Sequence, residues 1–318
     1  MKRLLISRRL PEVVQDALAA RFDATTRTTT QPMDQAEAEA ALRNYDAILP
    51  TLGDAFGAAT FAAVPIPRTQ VLANFGVGYN HIEADAARAA GVDVSNTPGA
   101  VTDATADTAM TLILMTCRRA GEGERMVRAG TWAGWHPTQL LGFHISGKTV
   151  GIIGMGRIGK AIAHRCHFGF GMEVVFYSRS AVAEPGMPAR QLATLDEVMN
   201  TADIVVLAVP ATPATHHLIE AQAFVAMKPT GYLINISRGD VVDEAALVKA
   251  LQAGQIAGAG LDVYEFEPTV PDALKAMENV TLLPHLGTAA LEVREAMGMM
   301  AVENLIAWDE GRPLPNAV

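Results

Sequence analysis

One stretch constrains this chain more than any other: Lys148-Thr149-Val150-Gly151-Ile152-Ile153-Gly154-Met155-Gly156-Arg157-Ile158-Gly159-Lys160-Ala161-Ile162-Ala163. A short apolar run ends at Ile153, three glycines follow at G-x-G-x-x-G spacing, and a helix-forming segment comes next. Strand, glycine turn and helix in that order form the fingerprint of a dinucleotide site. Gly154 permits the tight turn, Gly156 lets a pyrophosphate approach a backbone without a Cβ, and Gly159 lets the helix pack on the strand. The helix N-terminus then offers free N–H groups and partial positive charge to the phosphates. A glycine-rich turn before an ordinary helix would share the spacing. The correct flanks and a second apolar run at Glu173-Val174-Val175-Phe176-Tyr177 favour the dinucleotide reading.

That second run ends in Ser178-Arg179-Ser180. A site for NAD(H) usually carries an acid about 20 residues past the glycines, bonded to the adenine ribose. Here no acid is present. Arg179 attracts a 2′-phosphate, and Ser178 and Ser180 can donate to it. The expectation is NADP(H) in preference to NAD(H), without excluding the latter.

With 318 residues, half of them hydrophobic and 19% charged, the chain can bury a large core in two domains or one large one. A net charge of −9 without a basic block argues against nucleic acid as a partner. Cys117 and Cys166 show neither metal-ligand spacing nor a disulfide framework, and no metal site is expected. No apolar run reaches membrane-spanning length, and Leu4-Leu5-Ile6 is too short for a signal-peptide core, so a cytoplasmic enzyme is expected.

Short apolar runs alternate with helical patterns along the chain. Runs at Leu4–Ile6, Tyr45–Leu49, Thr69–Asn74 and Val92–Ser95 make the first part a small parallel α/β unit. Asp34 reads as a helix cap. Asn96-Thr97-Pro98-Gly99 marks a boundary, and a nearly all-apolar helix is expected over 107–119. Trp132 and Trp135 sit in a loop, where exposed indole suggests a meeting with a second subunit. After the fingerprint come runs at Ile204–Val209, Tyr232–Ile236, Ala259–Val263 and Val280–Leu283, then an amphipathic, methionine-rich helix over 289–308.

In an open parallel sheet, ligands bind beyond the carboxyl ends of the strands. Arg238, Glu267 and His285 fall at or just after such ends. Singly, each reads as a salt-bridge partner, a surface charge or a capped core histidine. Together they make a hydride-transfer site for a 2-keto acid. A protonated imidazole can donate to the carbonyl oxygen as charge develops there. A carboxylate beside it orients the ring and favours its charged form. A guanidinium holds the substrate carboxylate and polarises the carbonyl.

At this point the chain resembles the D-isomer-specific 2-hydroxyacid dehydrogenases, most closely their glyoxylate/hydroxypyruvate reductase branch. The resemblance rests on Asn74-Phe75-Gly76-Val77-Gly78-Tyr79-Asn80, Gly154-Met155-Gly156-Arg157-Ile158-Gly159, Asn235-Ile236-Ser237-Arg238-Gly239, Gly260-Leu261-Asp262-Val263-Tyr264-Glu265-Phe266-Glu267-Pro268 and Leu283-Pro284-His285-Leu286-Gly287-Thr288. It spans nearly the whole chain from Val71 onward. Thr288 departs from the serine common there but keeps the hydroxyl. The resemblance implies two α/β domains with parallel sheets, Rossmann-like and flavodoxin-like. A substrate domain over 1–98 would be interrupted by a nucleotide domain over 99–287 and completed by a helix over 288–318. It implies His285 as proton donor paired with Glu267, and Arg238 as substrate ligand helped by N–H groups at Val77 and Gly78. Asp262 would hold the nicotinamide carboxamide, and Val209-Pro210 would line the adenosine side. Arg157, Ile158, Ile236, Ser237 and Gly287 would complete the cofactor site. A homodimer is implied, with Trp135 lent to a neighbouring pocket. Two other readings share the pattern. Phosphite dehydrogenases of the same family keep the arginine, glutamate and histidine, and a corepressor-like binding protein can use the fold as a nucleotide-responsive dimer. Formate dehydrogenases carry glutamine where Glu267 stands.

Overall fold

The computed structural model describes all residues from Met1 to Val318. The elements begin β1 (Arg3–Ile6), α1 (Glu12–Ala19), β2 (Asp23–Thr26), α2 (Gln35–Asn44), β3 (Ala47–Leu49), α3 (Ala58–Ala63), β4 (Val71–Ala73), α4 (Ala84–Ala89) and β5 (Asp93–Ser95). Next come α5 (Thr102–Cys117), α6 (Ala120–Arg128), β6 (Thr149–Ile153), α7 (Arg157–His164), β7 (Glu173–Tyr177), β8 (Arg190–Gln191), α8 (Leu195–Thr201) and β9 (Ile204–Leu207). The chain closes with α9 (Ala221–Ala226), β10 (Tyr232–Asn235), α10 (Glu244–Gln252), β11 (Gly258–Leu261), α11 (Asp272–Ala276), β12 (Val280–Leu282) and α12 (Leu291–Asp309).

Two compact units result, one of Met1–Val101 with Ala289–Val318, the other of Thr102–Thr288. The second is inserted into the first. The first unit holds a five-stranded parallel sheet in the order β2-β1-β3-β4-β5. β1, β3 and β4 are short apolar runs buried along most of their length, as strands covered on both faces must be. Asp34 caps α2 in a capping box with Glu37. α12 completes the unit: Gly298 lies so close to α1 that a Cβ there would come within 2.3 Å of Val14. Asn304 of α12 holds the segment beyond the helix through Asn316, and Ala317 pairs antiparallel with Ser95 at the sheet edge.

The second unit holds a seven-stranded sheet in the order β12-β11-β10-β9-β6-β7-β8, every pair parallel. The order reverses between β6 and β9, which makes the crevice beyond their carboxyl ends the place for a ligand. Helices cover both faces. Val198, Phe224, Leu247 and Leu274 pack on one, and Leu112, Ile113, Ile162 and Cys166 on the other. At Gly151 a Cβ would lie 2.6 Å from Val198, so α8 sits directly on β6.

The expected apolar helix begins earlier than the sequence indicated, at Thr102, because polar Thr102 and Asp103 form its first turn. β2 was not expected. Asp-Ala-Thr-Thr has no apolar run, and as an edge strand it needs none. α6 escaped notice because Gly121 and Gly123 weaken its helical pattern. Both cysteines are buried, and burial pushes each thiol up to about 12. His167 Nδ1 bonds the carbonyl of Met172, and the Cys166 thiol faces Met110 Sδ at 3.5 Å.

Candidate active site

The glycine turn is stitched to the end of β7. Gly154 donates its N–H to Tyr177 O at 2.9 Å, and Met155 donates to Ser178 Oγ at 2.9 Å. Gly154 takes φ +98°, and a Cβ there would meet the carbonyl of Ala208 at 2.6 Å, just past β9. At Gly159 a Cβ would lie 2.1 Å from Gly154 O, so this glycine is fixed by packing. Gly156 differs. Nothing in the protein lies within 4 Å of its notional Cβ, and its φ of −79° suits any residue. No protein contact requires glycine there, and the open space is what a pyrophosphate would fill. Gly156 is also the N-cap of α7 and supplies no side-chain acceptor, so the helix's first N–H groups remain for an anion. Arg157 is exposed and Ile158 half-buried at that helix start. Arg179 and Ser180 are exposed beyond β7. These residues fit a nicotinamide dinucleotide. Val209 and Pro210 follow β9, and Thr215 Oγ1 holds the turn by bonding Pro210 O at 2.7 Å.

Beyond β10, Asn235 acts as a local clamp. Its Oδ1 accepts from the N–H and the hydroxyl of Ser237, and its amide donates to Arg238 O at 2.9 Å. Ile236 is buried beside it. The clamp fixes the backbone that presents Arg238. Burial pulls the Arg238 guanidinium below its ordinary pKa, opposed by the carboxylates of Glu267 and Asp240. Glu267 Oε2 meets His285 Nδ1 at 2.9 Å, and its Oε1 accepts the N–H of Tyr264 at 3.1 Å. Burial alone would raise the Glu267 carboxyl, but His285, the Tyr264 N–H and Arg238 outweigh it and hold the group below the usual glutamate value. The structure therefore brings Arg238, Glu267 and His285 into one electrostatic cluster.

His285 sits at φ +55°, in the left-handed region. Non-glycine residues there carry a cost of about 1–2 kcal/mol. Asp262 holds the turn. Its backbone carbonyl accepts from His285 N at 2.8 Å, and its buried carboxylate accepts from the N–H of Leu286 at 2.6 Å and of Gly287 at 2.8 Å. Burial raises the Asp262 carboxyl, and the two N–H groups draw it back. The sequence did not suggest this task for Asp262, nor the roles of Asn235 and Tyr264. A buried strand-end Asn two residues before Ser is a recognisable Asx pattern, whereas a backbone N–H donor such as that of Tyr264 leaves no trace in sequence.

In the first unit, the turn after β4 has its own order. The Asn74 amide donates to the carbonyls of Gly76 and Gly78, Asn96 donates to Val77 O, and Thr97 N to Gly76 O. The carbonyls are thereby engaged on the protein side. The N–H groups of Val77 and Gly78 remain as donors, which suits a carboxylate. Trp135 is 78% exposed in the loop after α6.

A model of the D-isomer specific 2-hydroxyacid dehydrogenase NAD-binding domain matches residues 110–287. The chain belongs to the D-isomer-specific 2-hydroxyacid dehydrogenase family. It is 40% identical over 321 residues to a glyoxylate reductase of Thermococcus onnurineus, covering 99% of this chain and 95% of that one. A glyoxylate reductase of Pyrococcus furiosus is also 40% identical, over 322 residues, with 99% and 95% coverage. Among solved structures, an NADPH-dependent glyoxylate/hydroxypyruvate reductase from Sinorhizobium meliloti, in complex with NADP and malonate, superposes with a TM-score of 0.88 at 36% identity, covering 100% of this chain and 96% of that one. As a member, this 2-hydroxyacid dehydrogenase is an oxidoreductase that uses a nicotinamide cofactor. None of its helices is long and apolar enough to cross a membrane.

Proposed function

We propose that this dehydrogenase reduces a small 2-keto acid of the glyoxylate and hydroxypyruvate class to the D-2-hydroxy acid, with NADPH preferred. The observation that carries the reading is the pair of His285 Nδ1 and Glu267 Oε2 at 2.9 Å beside Arg238. A bound reduced nicotinamide supplies the hydride. As the carbonyl carbon becomes tetrahedral, its oxygen gains negative charge. His285 hands that oxygen a proton from Nε2, the ring nitrogen that Glu267 leaves available. Glu267 keeps the ring oriented through its contact with Nδ1. Arg238 binds the substrate carboxylate and stabilises the developing charge. Val77 and Gly78 are proposed as further carboxylate donors on the strength of their own turn. The preference for NADPH rests on Ser178-Arg179-Ser180, where no carboxylate repels a 2′-phosphate. Similarity to glyoxylate reductases supports the substrate class.

We also propose a homodimer. Val127, Trp132, Trp135 and Leu141 are 61%, 52%, 78% and 67% exposed over one stretch of chain, and a second copy would cover them. Sedimentation of the wild type checks this, and a monomer at all concentrations would refute it.

The deciding assay follows loss of reduced-nicotinamide absorbance with NADPH or NADH across glyoxylate, hydroxypyruvate, pyruvate and bulkier 2-keto acids, with phosphite and the oxidised cofactor as a further arm. Turnover is expected on the smallest keto acids. Turnover on phosphite alone, or on nothing, would overturn the proposal.

A further inference from the structure

Glu265 is partly buried, yet the chemistry above does not use it. Its side chain is 13% exposed. Its Oε1 accepts from His217 Nε2 at 2.8 Å, and its Oε2 accepts the N–H of Glu244, the first residue of α10, at 3.2 Å. In return, the Glu244 carboxylate accepts the N–H of Glu265 at 3.4 Å. His217 is itself anchored, since its own N–H donates to Asp240 O at 2.8 Å. It also sits at φ +48°, a conformation that a non-glycine residue keeps only when its surroundings hold it. The neighbouring His216 stacks on it with ring centroids 4.0 Å apart. Ligand-type atoms of His216, His217 and Glu265 lie within 4.8 Å of one another. His217 Nε2 and Glu265 Oε1 are hydrogen-bonded to each other, so that pair needs no ion to account for it.

The clasp acts on a particular peptide. A Cβ at Gly239 would lie 1.8 Å from the carbonyl carbon of Tyr264 and 2.3 Å from Glu265 N. The residue after Arg238 therefore rests, backbone on backbone, against the Tyr264–Glu265 peptide. The N–H of Tyr264 holds Glu267 Oε1. The Tyr264 N–H lies in the preceding peptide, so a shift of the backbone at Tyr264 displaces the seat of Arg238 and the anchor of Glu267 together. The Glu265 side chain, on the next residue and gripped from the loop before α9 and from the start of α10, opposes such a shift.

We propose that Glu265 is a positioning residue, clasped by His217 and Glu244, that sets Arg238 and Glu267 in register with each other. The inference rests on the reading of Arg238, Glu267 and His285 given above, and the test separates the two. Glu265→Leu and His217→Leu are compared with wild type for turnover, KM for glyoxylate, NADPH affinity by titration, and melting temperature. Each is expected to cut kcat about 10–100-fold, the scale of an ångström-sized misplacement, with NADPH affinity unchanged. His217→Gln keeps an N–H donor at similar reach and bears the same backbone strain as the leucine variant. It should recover most of the lost turnover. Wild-type kcat in both leucine variants overturns the proposal. So does a fall in NADPH affinity and melting temperature that accounts for the lost turnover, and so does a glutamine variant no better than the leucine one. His285→Gln runs beside them. If it is inactive while Glu265→Leu is normal, only the positioning role falls. If it retains wild-type turnover, the catalytic reading falls and takes this one with it.

Discussion

Arg238 is held by burial, by the Asn235 clamp and by two nearby carboxylates, so a structural arginine and a substrate ligand would look alike in sequence. Arg238→Lys separates them. The variant keeps the charge and loses the planar fork. It should retain its melting temperature and NADPH affinity while turnover on 2-keto acids falls by orders of magnitude, in both kcat and KM. Normal turnover in a folded Arg238→Lys protein would remove Arg238 from the chemistry. Glu267 has a pH signature. Its carboxyl is held below the usual value, so the stability it contributes is complete at neutral pH and is lost as pH falls through its folded pKa. For activity, Glu267→Gln removes the carboxylate that orients the His285 ring. Turnover on 2-keto acids should therefore fall by about 10–100-fold with NADPH affinity unchanged, as steady-state rates and cofactor titration of the variant would record. At the cofactor end, Arg179→Ala should weaken NADPH far more than NADH. A lost charge-assisted hydrogen bond is worth about 1.5–3 kcal/mol, or roughly 10–150-fold. Equal losses for both cofactors would remove Arg179 as the selector.

At the scale of elements, two glycines of one motif should fail in different ways. Gly159→Ala drives a Cβ to 2.1 Å from a backbone carbonyl, and overpacking of this kind costs about 1–3 kcal/mol. Its melting temperature should drop. Gly156→Ala meets nothing in the protein, so its melting temperature should stay near wild type while NADPH affinity falls at least tenfold, as paired melts and titrations would show. Much of this was legible in advance. β6, β7, β9 and β10 are continuous apolar runs that only a strand covered on both faces requires, and their boundaries fell within a residue or two of the expected ones. Arg238, Glu267 and His285 could be picked out because strand ends in a parallel sheet share one edge. What stayed hidden was work done by backbone atoms and by contact. The Tyr264 N–H on Glu267, the Gly239 backbone against Tyr264, and the Asp262 carboxylate under the His285 turn all depend on three-dimensional placement. The edge strand β2 was hidden for the opposite reason, because too little of it is buried to leave a pattern.

For the molecule as a whole, the two units stand differently toward the order of the chain. Thr102–Thr288 is contiguous, whereas the other unit joins Met1–Val101 to Ala289–Val318. The late segment is no accessory. Met297, Ala301, Val302 and Leu305 are at most 3% exposed, so α12 supplies part of that unit's core. A protein cut after Thr288 should therefore keep a folded, NADPH-binding second unit while the first loses protection against hydrogen exchange. Equal protection in both units would contradict this. The same discontinuity orders events on the ribosome. Met1–Val101 must wait, incomplete, while the nucleotide-binding unit emerges and folds behind it, and its unit closes only when Ala289–Val318 has been made. Of the two units, the discontinuous one is thus exposed the longer to chaperones and proteases during synthesis.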